Sequence, residues 1–523
     1  MNTARILTPA QMRWADEATI KAGTSGAELM DRAGLAVANA VKTHMPDYGR
    51  VVIVTGPGNN GGDGFAAAMY LRRSNIPVTV VSLVPLDSIK DDARAFADRA
   101  VAEGVKVRVA YGDTASELNR WLVRAVMVVD AMFGTGLSRG LDGEMAAAIE
   151  SINQSGRPVL SVDIASGLDA DSGVVLGAAV HADLTLPIAA SKWGHWLDEG
   201  RDYSGKILAA AAIGVAESTM HESWLAVQGC LIGCEESCFN SACLIDNDFL
   251  DVVWPQRPRM SHKGSFGHIW VLGGSVGYTG APGLAARGAF AAGAGRVSIV
   301  CPDAVWPIIA ASNPETMVHP ESSAPWQDAD CIVAGPGWGH QQQSLLTTLL
   351  ADDKPLVLDA DALNMIADSD ELRAKLTERD AITVITPHPG EAGCLLNEPV
   401  SEIQRDRKRS ILRMTRKFDC WVVLKGNETL IASPKGDIFL NPFGSPRLAV
   451  AGSGDVLAGM IGTQLASMKS REIDTGILIS ATVALHGIAG EQGDWFLVSE
   501  LAKAVAGLRQ NIESGGKTRN DQR

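Results

Sequence analysis

Short apolar runs separated by amphipathic stretches recur along both halves of this chain. In the first half, residues 51–55, 78–84, 105–109, 125–131, 158–162 and 183–186 are strand-like, and segments such as 90–103 and 144–153 between them are helical. Strands alternating with helices predict a parallel, doubly wound sheet. Two helices precede it. Thr8-Pro9-Ala10-Gln11 and Ser25-Gly26-Ala27-Glu28 are capping boxes, and the second leads into the helical period of Leu29, Ala33, Val37 and Val41.

A second series opens at "HIWVLGG" and continues through 297–301, 331–334, 356–359, 382–386 and 422–425, followed by the hairpin-like "TLIASPKGDIFL". Between the series, residues 216–260 sustain neither period and carry Trp224, Trp254 and prolines, so the domain junction is expected there. A length of 523 residues accommodates two such α/β domains, each with its own core.

Composition narrows the partners. A net charge of −14 and a pI near 5.2 oppose nonspecific attraction to nucleic acid or anionic lipid, so no nucleic acid and no membrane are expected, and small molecules are. The longest apolar run, 207–216, is far short of a membrane span, and the opening residues lack a signal-peptide layout; a cytoplasmic location is the expectation. Cys230, Cys234, Cys238 and Cys243 crowd the junction at spacings outside the common zinc patterns, and free thiols are expected. A homo-oligomer is also expected.

The chemistry begins at "GPGNNGGDG". Gly56, Gly58 and Gly61 form a literal G-x-G-x-x-G after a strand, the pattern of a dinucleotide loop whose backbone N–H groups face a pyrophosphate, and Asp87 is a candidate ribose acid. Asp63 argues against that: a carboxylate about 4 Å from a phosphate costs on the order of 4 kcal/mol at an effective dielectric of 20. A counter-cation relieves the repulsion, and the carbonyl oxygens of Asn59 and Asn60 suit a hard one. A plain glycine-rich turn is the competing explanation. Two more strand ends, "VVDAMFGTGLSRGLDG" with Asp130 and "VLSVDIASGLDADSG" with Asp163 and Ser166, share the same edge of a parallel sheet.

Together these three motifs resemble the NAD(P)H-hydrate epimerase domain over about residues 1–220. The resemblance implies a Rossmann-like fold, a K+ ion held by Asn60, Asp130 and Ser166, and Asp163 as the acid/base residue. It also implies substrate contacts at Asn59, Asn60, Gly61, Gly62 and Asp63, at Gly134, Thr135, Gly136, Leu137, Ser138, Arg139 and Gly140, and at Asp163. Lys192 in "PIAASKWGH" either points into this cleft or is a solvated charge at a strand end, the commoner fate of lysine.

In the second half, Gly452-Ser453-Gly454-Asp455 stands before the apolar helical stretch 456–461. Glycine N–H groups there stabilise charge on a transferring phosphoryl group and Asp455 accepts a proton from an attacking hydroxyl, unless the sequence is simply a turn and an N-cap. "SHKGSFGHIWVLGGSVGYTGAPGLAARGAFAAGAGRVSI", "AGPGWG", "LDADALN", "ITPHPGE" and "VVLKGNETLI" precede it in order. The set resembles the ribokinase-like NAD(P)H-hydrate dehydratase family across about 245–510, leaving 221–244 as a linker and 511–523 as a polar tail.

That resemblance implies nucleotide contacts at Lys425, Gly426, Asn427, Glu428, Thr429 and Gly454, substrate contacts at Ala281, Gly337, His388 and Asp455, and ADP as co-substrate. Asp455 is the implied catalytic residue. His388, between Pro387 and Pro389, is equally a turn residue, and Asp361 either serves Mg2+ or ends a strand. The segment "NPFGSPRLAVAGSGD" departs from the glycine-, threonine- and methionine-rich run usual before the loop. The expectation is a bifunctional enzyme that interconverts R and S NAD(P)H hydrates and dehydrates the S form to NAD(P)H with release of AMP and phosphate. The alternatives are a vitamin-like kinase in the second half and a nonenzymatic nucleotide-binding module in the first.

Overall fold

The structure, a computed structural model, describes residues 5–112, 114–229, 242–246, 248–254, 256–470, 472–492, 495 and 497–515. It divides into two compact units, one made of the described residues of Arg5–Ser241 and the other of those of Ala242–Arg523. Among the described residues, no helix is long and apolar enough to cross a membrane.

The first unit is built on a seven-stranded sheet with strand order Lys106–Val109, Val78–Ser82, Arg50–Thr55, Ala125–Ala131, Val159–Val162, Leu184–Leu186, Lys206–Ile207. All its pairings are parallel. Val51, Ile53, Met127 and Val129 face a helical layer containing Val37, Phe65 and Phe96, while Val52, Val54 and Val128 face Leu118, Ile149 and Ile152 on the other side. Burial on both faces explains why these strands read as continuous apolar runs. The strand order reverses between Arg50–Thr55 and Ala125–Ala131, which opens a crevice at their carboxyl ends.

Both capping boxes form. Thr8 and Gln11 bond reciprocally at the start of the helix Pro9–Lys21, and Ser25 and Glu28 do so before Gly26–His44. A two-residue strand, Ser191–Lys192, pairs in parallel with Arg5–Leu7, a pairing that local periodicity did not reveal.

The second unit carries seven parallel strands in the order Met317–Pro320, Arg296–Cys301, His268–Leu272, Cys331–Ala334, Leu356–Leu358, Thr383–Ile385, Trp421–Leu424. The antiparallel strands Leu430–Ala432 and Ile438–Leu440 follow, as the hairpin-like sequence requires. The helices Ala281–Ala292, Ser453–Ser467 and Thr475–Glu491 pack together, with Gly459 so close to Ala285 that an added Cβ would lie 1.8 Å from its carbonyl oxygen.

The junction is more regular than its sequence. Glu217–Gly229 is a helix against Pro9–Lys21, where Met220 joins Leu7 and Met12, and Ala242–Leu244 pairs in parallel with Ile438–Leu440. A single apolar stripe one or two residues wide is enough for such packing, so no sustained period marked it. The helix Val498–Glu513 likewise runs past residue 510. Cys230, Cys234 and Cys238 lie outside the described residues; Cys243 is on the strand Ala242–Leu244.

Candidate active sites

In the first unit the loop after Arg50–Thr55 turns into the helix Asn59–Arg73, capped by no side chain, so the first-turn N–H groups are left for other partners. The glycines serve close packing. A Cβ on Gly56 would sit 2.1 Å from the Met132 carbonyl oxygen, one on Gly61 2.2 Å from that of Gly56, and one on Gly62 2.5 Å from Met30 Sδ. Gly61 and Gly62 therefore shape the loop from behind.

The crevice is a cavity of about 610 Å³ lined, among others, by Asn59, Asn60, Asp63, Gly134, Thr135, Gly136, Leu137, Ser138, Arg139 and Asp163. Gly61, Gly62 and Gly140 are not part of the lining, and neither are Asp130 and Ser166. Asp130 is fully buried: Ser166 Oγ (2.6 Å) and the Met132 amide (3.2 Å) donate to Oδ1, and Ser161 Oγ (2.8 Å) and the Ser166 amide (2.9 Å) to Oδ2. Burial raises its pKa while these hydrogen bonds lower it; among the described residues no basic side chain pairs with it. Asn60 is 8 % exposed, and neither its Oδ1 nor its Nδ2 has a hydrogen-bond partner.

Asp163 follows its strand at φ 68°, a left-handed conformation that aspartate tolerates better than most residues. Its Oδ1 accepts from the Ile188 amide at 3.1 Å and from the ammonium of Lys192. Lys192 is 1 % exposed and donates also to the Ile188 carbonyl at 2.7 Å, so it is a buried partner of Asp163 and not a solvated strand-end charge. The pairing of Ser191–Lys192 with Arg5–Leu7 is what turns it inward. Asp63 belongs to the same group: burial and then Asp163 push its carboxyl well above the ordinary range. Met12, Asp16 and Ile20, three successive turns of the helix Pro9–Lys21, complete this wall and were not anticipated.

In the second unit the helix Ser453–Ser467 starts after Gly452 at φ 98°, again without a side-chain cap. A Cβ on Gly454 would lie 3.1 Å from Lys425 Nζ, which places that ammonium directly beneath the loop. Lys425 donates to Asp359 Oδ1 at 2.7 Å and lies 3.9 Å from Glu391 Oε2. Burial opposes its charge, but Asp359 and Glu391 together hold its pKa above the ordinary lysine value. Asp455 is pushed up to about 7 by burial and by Asp359, against Lys425, and burial takes Glu391 to about 7 as well.

His388 realises its structural role, its Nδ1 accepting from the amides of Gly390 (2.9 Å) and Glu391 (3.3 Å) as N-cap of Pro389–Leu396. Gly337 (φ 58°) abuts Ala281, at 3.0 Å from an added Cβ, and Asp361 Oδ2 accepts from the Gly339 amide at 2.8 Å, so these three lie close together. Gly426 packs against the guanidinium of Arg407, which donates to the carbonyls of Leu424 (3.1 Å) and Lys425 (3.3 Å), and Thr429 Oγ1 bonds the Gly426 carbonyl (3.1 Å). Asn427 and Glu428 complete that turn, Glu428 at φ 52°. The unusual segment before the glycine loop is a short 3₁₀ turn, Pro446–Leu448, fastened by Ser453 Oγ to the Leu448 carbonyl at 2.7 Å.

A family model described as NAD(P)H-hydrate dehydratase matches residues 269–499, and one described as YjeF-related protein N-terminus matches 26–194. The bifunctional NAD(P)H-hydrate repair enzyme of Coxiella burnetii is 32 % identical over 92 % of this chain and 93 % of its own. The chain belongs to that family.

Its counterpart from Gloeobacter violaceus is 35 % identical over 93 % of each chain. An ADP/ATP-dependent NAD(P)H-hydrate dehydratase from Bacillus subtilis, solved with ATP and Mg2+, is 30 % identical with a TM-score of 0.45, covering 51 % of this chain and 98 % of that one. Within the family frame, sequence reasoning overlooked Asp359 and Glu391, although both stand inside motifs it singled out. Asp359 ends its strand run, the position from which parallel sheets present functional groups.

Proposed function

We propose that this chain repairs hydrated NAD(P)H: the first unit interconverts the R and S hydrates, and the second dehydrates the S form with ADP, releasing AMP and phosphate. Family membership supports repair over a vitamin-like kinase. The observation that carries the reading is the uncapped glycine loop of the second unit, with the Lys425 ammonium against Gly454 and Asp455 in the first helical turn.

In the dehydratase step the hydroxyl on ring carbon 6 attacks the terminal phosphorus of ADP, its proton passing to Asp455 while AMP leaves. The loop N–H groups and Lys425 stabilise charge on the phosphoryl oxygens. Phosphate then leaves carbon 6 with its bonding pair, and loss of a proton from carbon 5 restores the reduced ring. Lys425–Thr429 and Gly454 contact the nucleotide, and Ala281, Gly337, His388 and Asp455 the hydrated ring. Mg2+ fits beside Asp361, whose carboxylate has one oxygen tied to Gly339 and one to spare; it would neutralise phosphate charge.

In the epimerase step Asp163, ion-paired with Lys192, takes the hydroxyl proton as the ring opens and returns it on closure. A K+ ion would sit at Asn60, whose side-chain carbonyl is buried without a partner, with Ser166 and the Asp130 carboxylate behind it, the latter without a basic partner among the described residues. It would supply fixed positive charge beneath the substrate. The activity is placed in the cytoplasm, where reduced coenzymes are made and spent, and the chain is read as a homo-oligomer with small-molecule partners. The test is nucleotide dependence on separated epimers: R must be consumed by way of S, and S consumed only with a phosphoryl donor. A stable phosphoester accumulating in place of NADH would instead mark a kinase.

A further inference from the structure

The cavity of the first unit contains more acid than a single base accounts for. Asp16, Asp63 and Asp163 all line it, and the one buried cation among the described lining residues, Lys192, is engaged by Asp163 and the Ile188 carbonyl. Arg13 and Arg139 line it too but are exposed, and the half-buried Asp92 lies against Gly26. The distribution is cationic at the mouth and carboxylic within, which suits a dinucleotide whose phosphates stay near solvent while its ring enters. Asn60, nine-tenths buried with both amide atoms unpartnered in the same cavity, independently marks a pocket built to receive a polar ligand.

Asp16 occupies a particular place in this wall. It stands one helical turn from Met12 and one from Ile20 on the stripe that Pro9–Lys21 turns to the cavity, a position where an apolar residue would satisfy packing alone. Its Oδ1 is buried and has no hydrogen-bond partner. Burial, with Asp163 adding and Lys192 opposing, pushes its pKa up to about 6. An unpartnered buried carboxyl holds a proton more readily than one in water, and Asp16 lacks the ammonium partner that Asp163 has in Lys192, so Asp16 is the better placed of the two to donate a proton.

We infer that Asp16 is a second catalytic residue of the first unit, the acid that protonates ring nitrogen 1 as Asp163 removes the proton from the carbon 6 hydroxyl. The inference rests on the epimerase reading above. In the step, the carbon–oxygen bond gains double-bond character, the carbon 6–nitrogen 1 bond breaks with its pair going to nitrogen, and nitrogen takes the Asp16 proton. The product is an open aldehyde with an enamine. Rotation presents the other face, and closure returns each proton to its donor, so nothing is consumed and no co-reactant is needed.

The test uses the full-length chain without nucleotide, following interconversion of separated R and S NADH hydrates by chromatography across pH 5–9. Asp16→Asn is expected to lower kcat about 100-fold with KM within about twofold, and to remove the fall in rate as pH rises through the Asp16 pKa. Asp16→Glu is expected to restore at least about a tenth of the lost rate. ADP-dependent dehydration of the S hydrate by Asp16→Asn stays at the parent value. The inference is overturned if Asp16→Asn keeps the parent kcat and pH profile, or if Asp16→Asn and Asp16→Glu lose rate equally with a lowered thermal midpoint. Asp163→Asn separates the two ideas: if it exchanges epimers at the parent rate, the epimerase reading itself fails, whereas loss in Asp163→Asn with none in Asp16→Asn removes only Asp16.

Discussion

Lys425 donates to Asp359 at 2.7 Å from a point directly under Gly454, so one ammonium holds a buried carboxylate in place and also charges the floor of the glycine loop. Lys425→Met would leave Asp359, 2 % exposed at its side chain, without its cation. Removing one partner of a buried pair costs about 3 kcal/mol, and denaturant titration should show a loss of that order. Dehydration should also fall steeply, and further than the stability loss explains, because Asp455 loses the neighbour that lowers its pKa.

The rate of dehydration should rise with pH through about 7. Asp455 must be ionised to take the hydroxyl proton, and its folded pKa is about 7 against an unperturbed 3.8. Glu391 titrates in the same range, so the limb in a kcat/KM profile belongs to the pair.

The same shift has a consequence for stability. A raised folded pKa means that the folded chain binds the extra proton between about pH 4 and 7, so this contribution is present in acid and lost as pH rises through 7. Asp455→Asn should therefore be more stable than the parent at pH 8, by about 1–2 kcal/mol, and lose that advantage towards pH 4. Thermal midpoints across that range check it.

Lys192→Met should abolish epimer exchange, by about 100-fold or more, while leaving dehydration of the S hydrate intact. Asp163 keeps its left-handed backbone but loses the ammonium that fixes its carboxylate in place. Chromatography of the R and S hydrates checks the first effect and absorbance of the reduced ring the second.

Gly56→Ala should fail structurally. Its Cβ would meet the Met132 carbonyl oxygen at 2.1 Å, backbone against backbone, with a cost of about 2–4 kcal/mol. The denaturation midpoint should drop even in the absence of ligand.

What the sequence disclosed and what it withheld follow from the range of the interactions involved. The capping boxes at Thr8 and Ser25 and the buried parallel strands are local, and both are written in adjacent residues. The three strand-end motifs of the first unit were legible because parallel topology alone brings Asp130, Asp163 and the Asn59–Asn60 loop to one edge. Lys192 stayed open between cleft and solvent because its burial depends on a two-residue strand pairing with residues 185 positions earlier. Asp16 was invisible for a related reason: nothing in a capped helix ahead of the seven-stranded sheet says which cavity it will line. The glycines of the first loop look like a phosphate cradle in sequence, yet Gly61 lets the Gly56 backbone approach and Gly62 leaves room for the Met30 side chain. Residues 217–229, read as irregular, form a helix whose partner, Pro9–Lys21, lies far away in the chain.

The central claim is a division of labour between two carboxylates, and the most direct measurement is consumption of pure R NADH hydrate by the full-length chain with and without ADP, alongside Asp163→Asn and Asp455→Asn. The account predicts conversion of R to NADH with stoichiometric AMP and phosphate when ADP is present, and R–S exchange without NADH when it is absent. It further predicts exchange without NADH in Asp455→Asn and greatly slowed consumption of R, but not S, in Asp163→Asn. Formation of NADH from R at the parent rate in Asp163→Asn, or a lasting phosphoester in place of NADH in the parent, would contradict it.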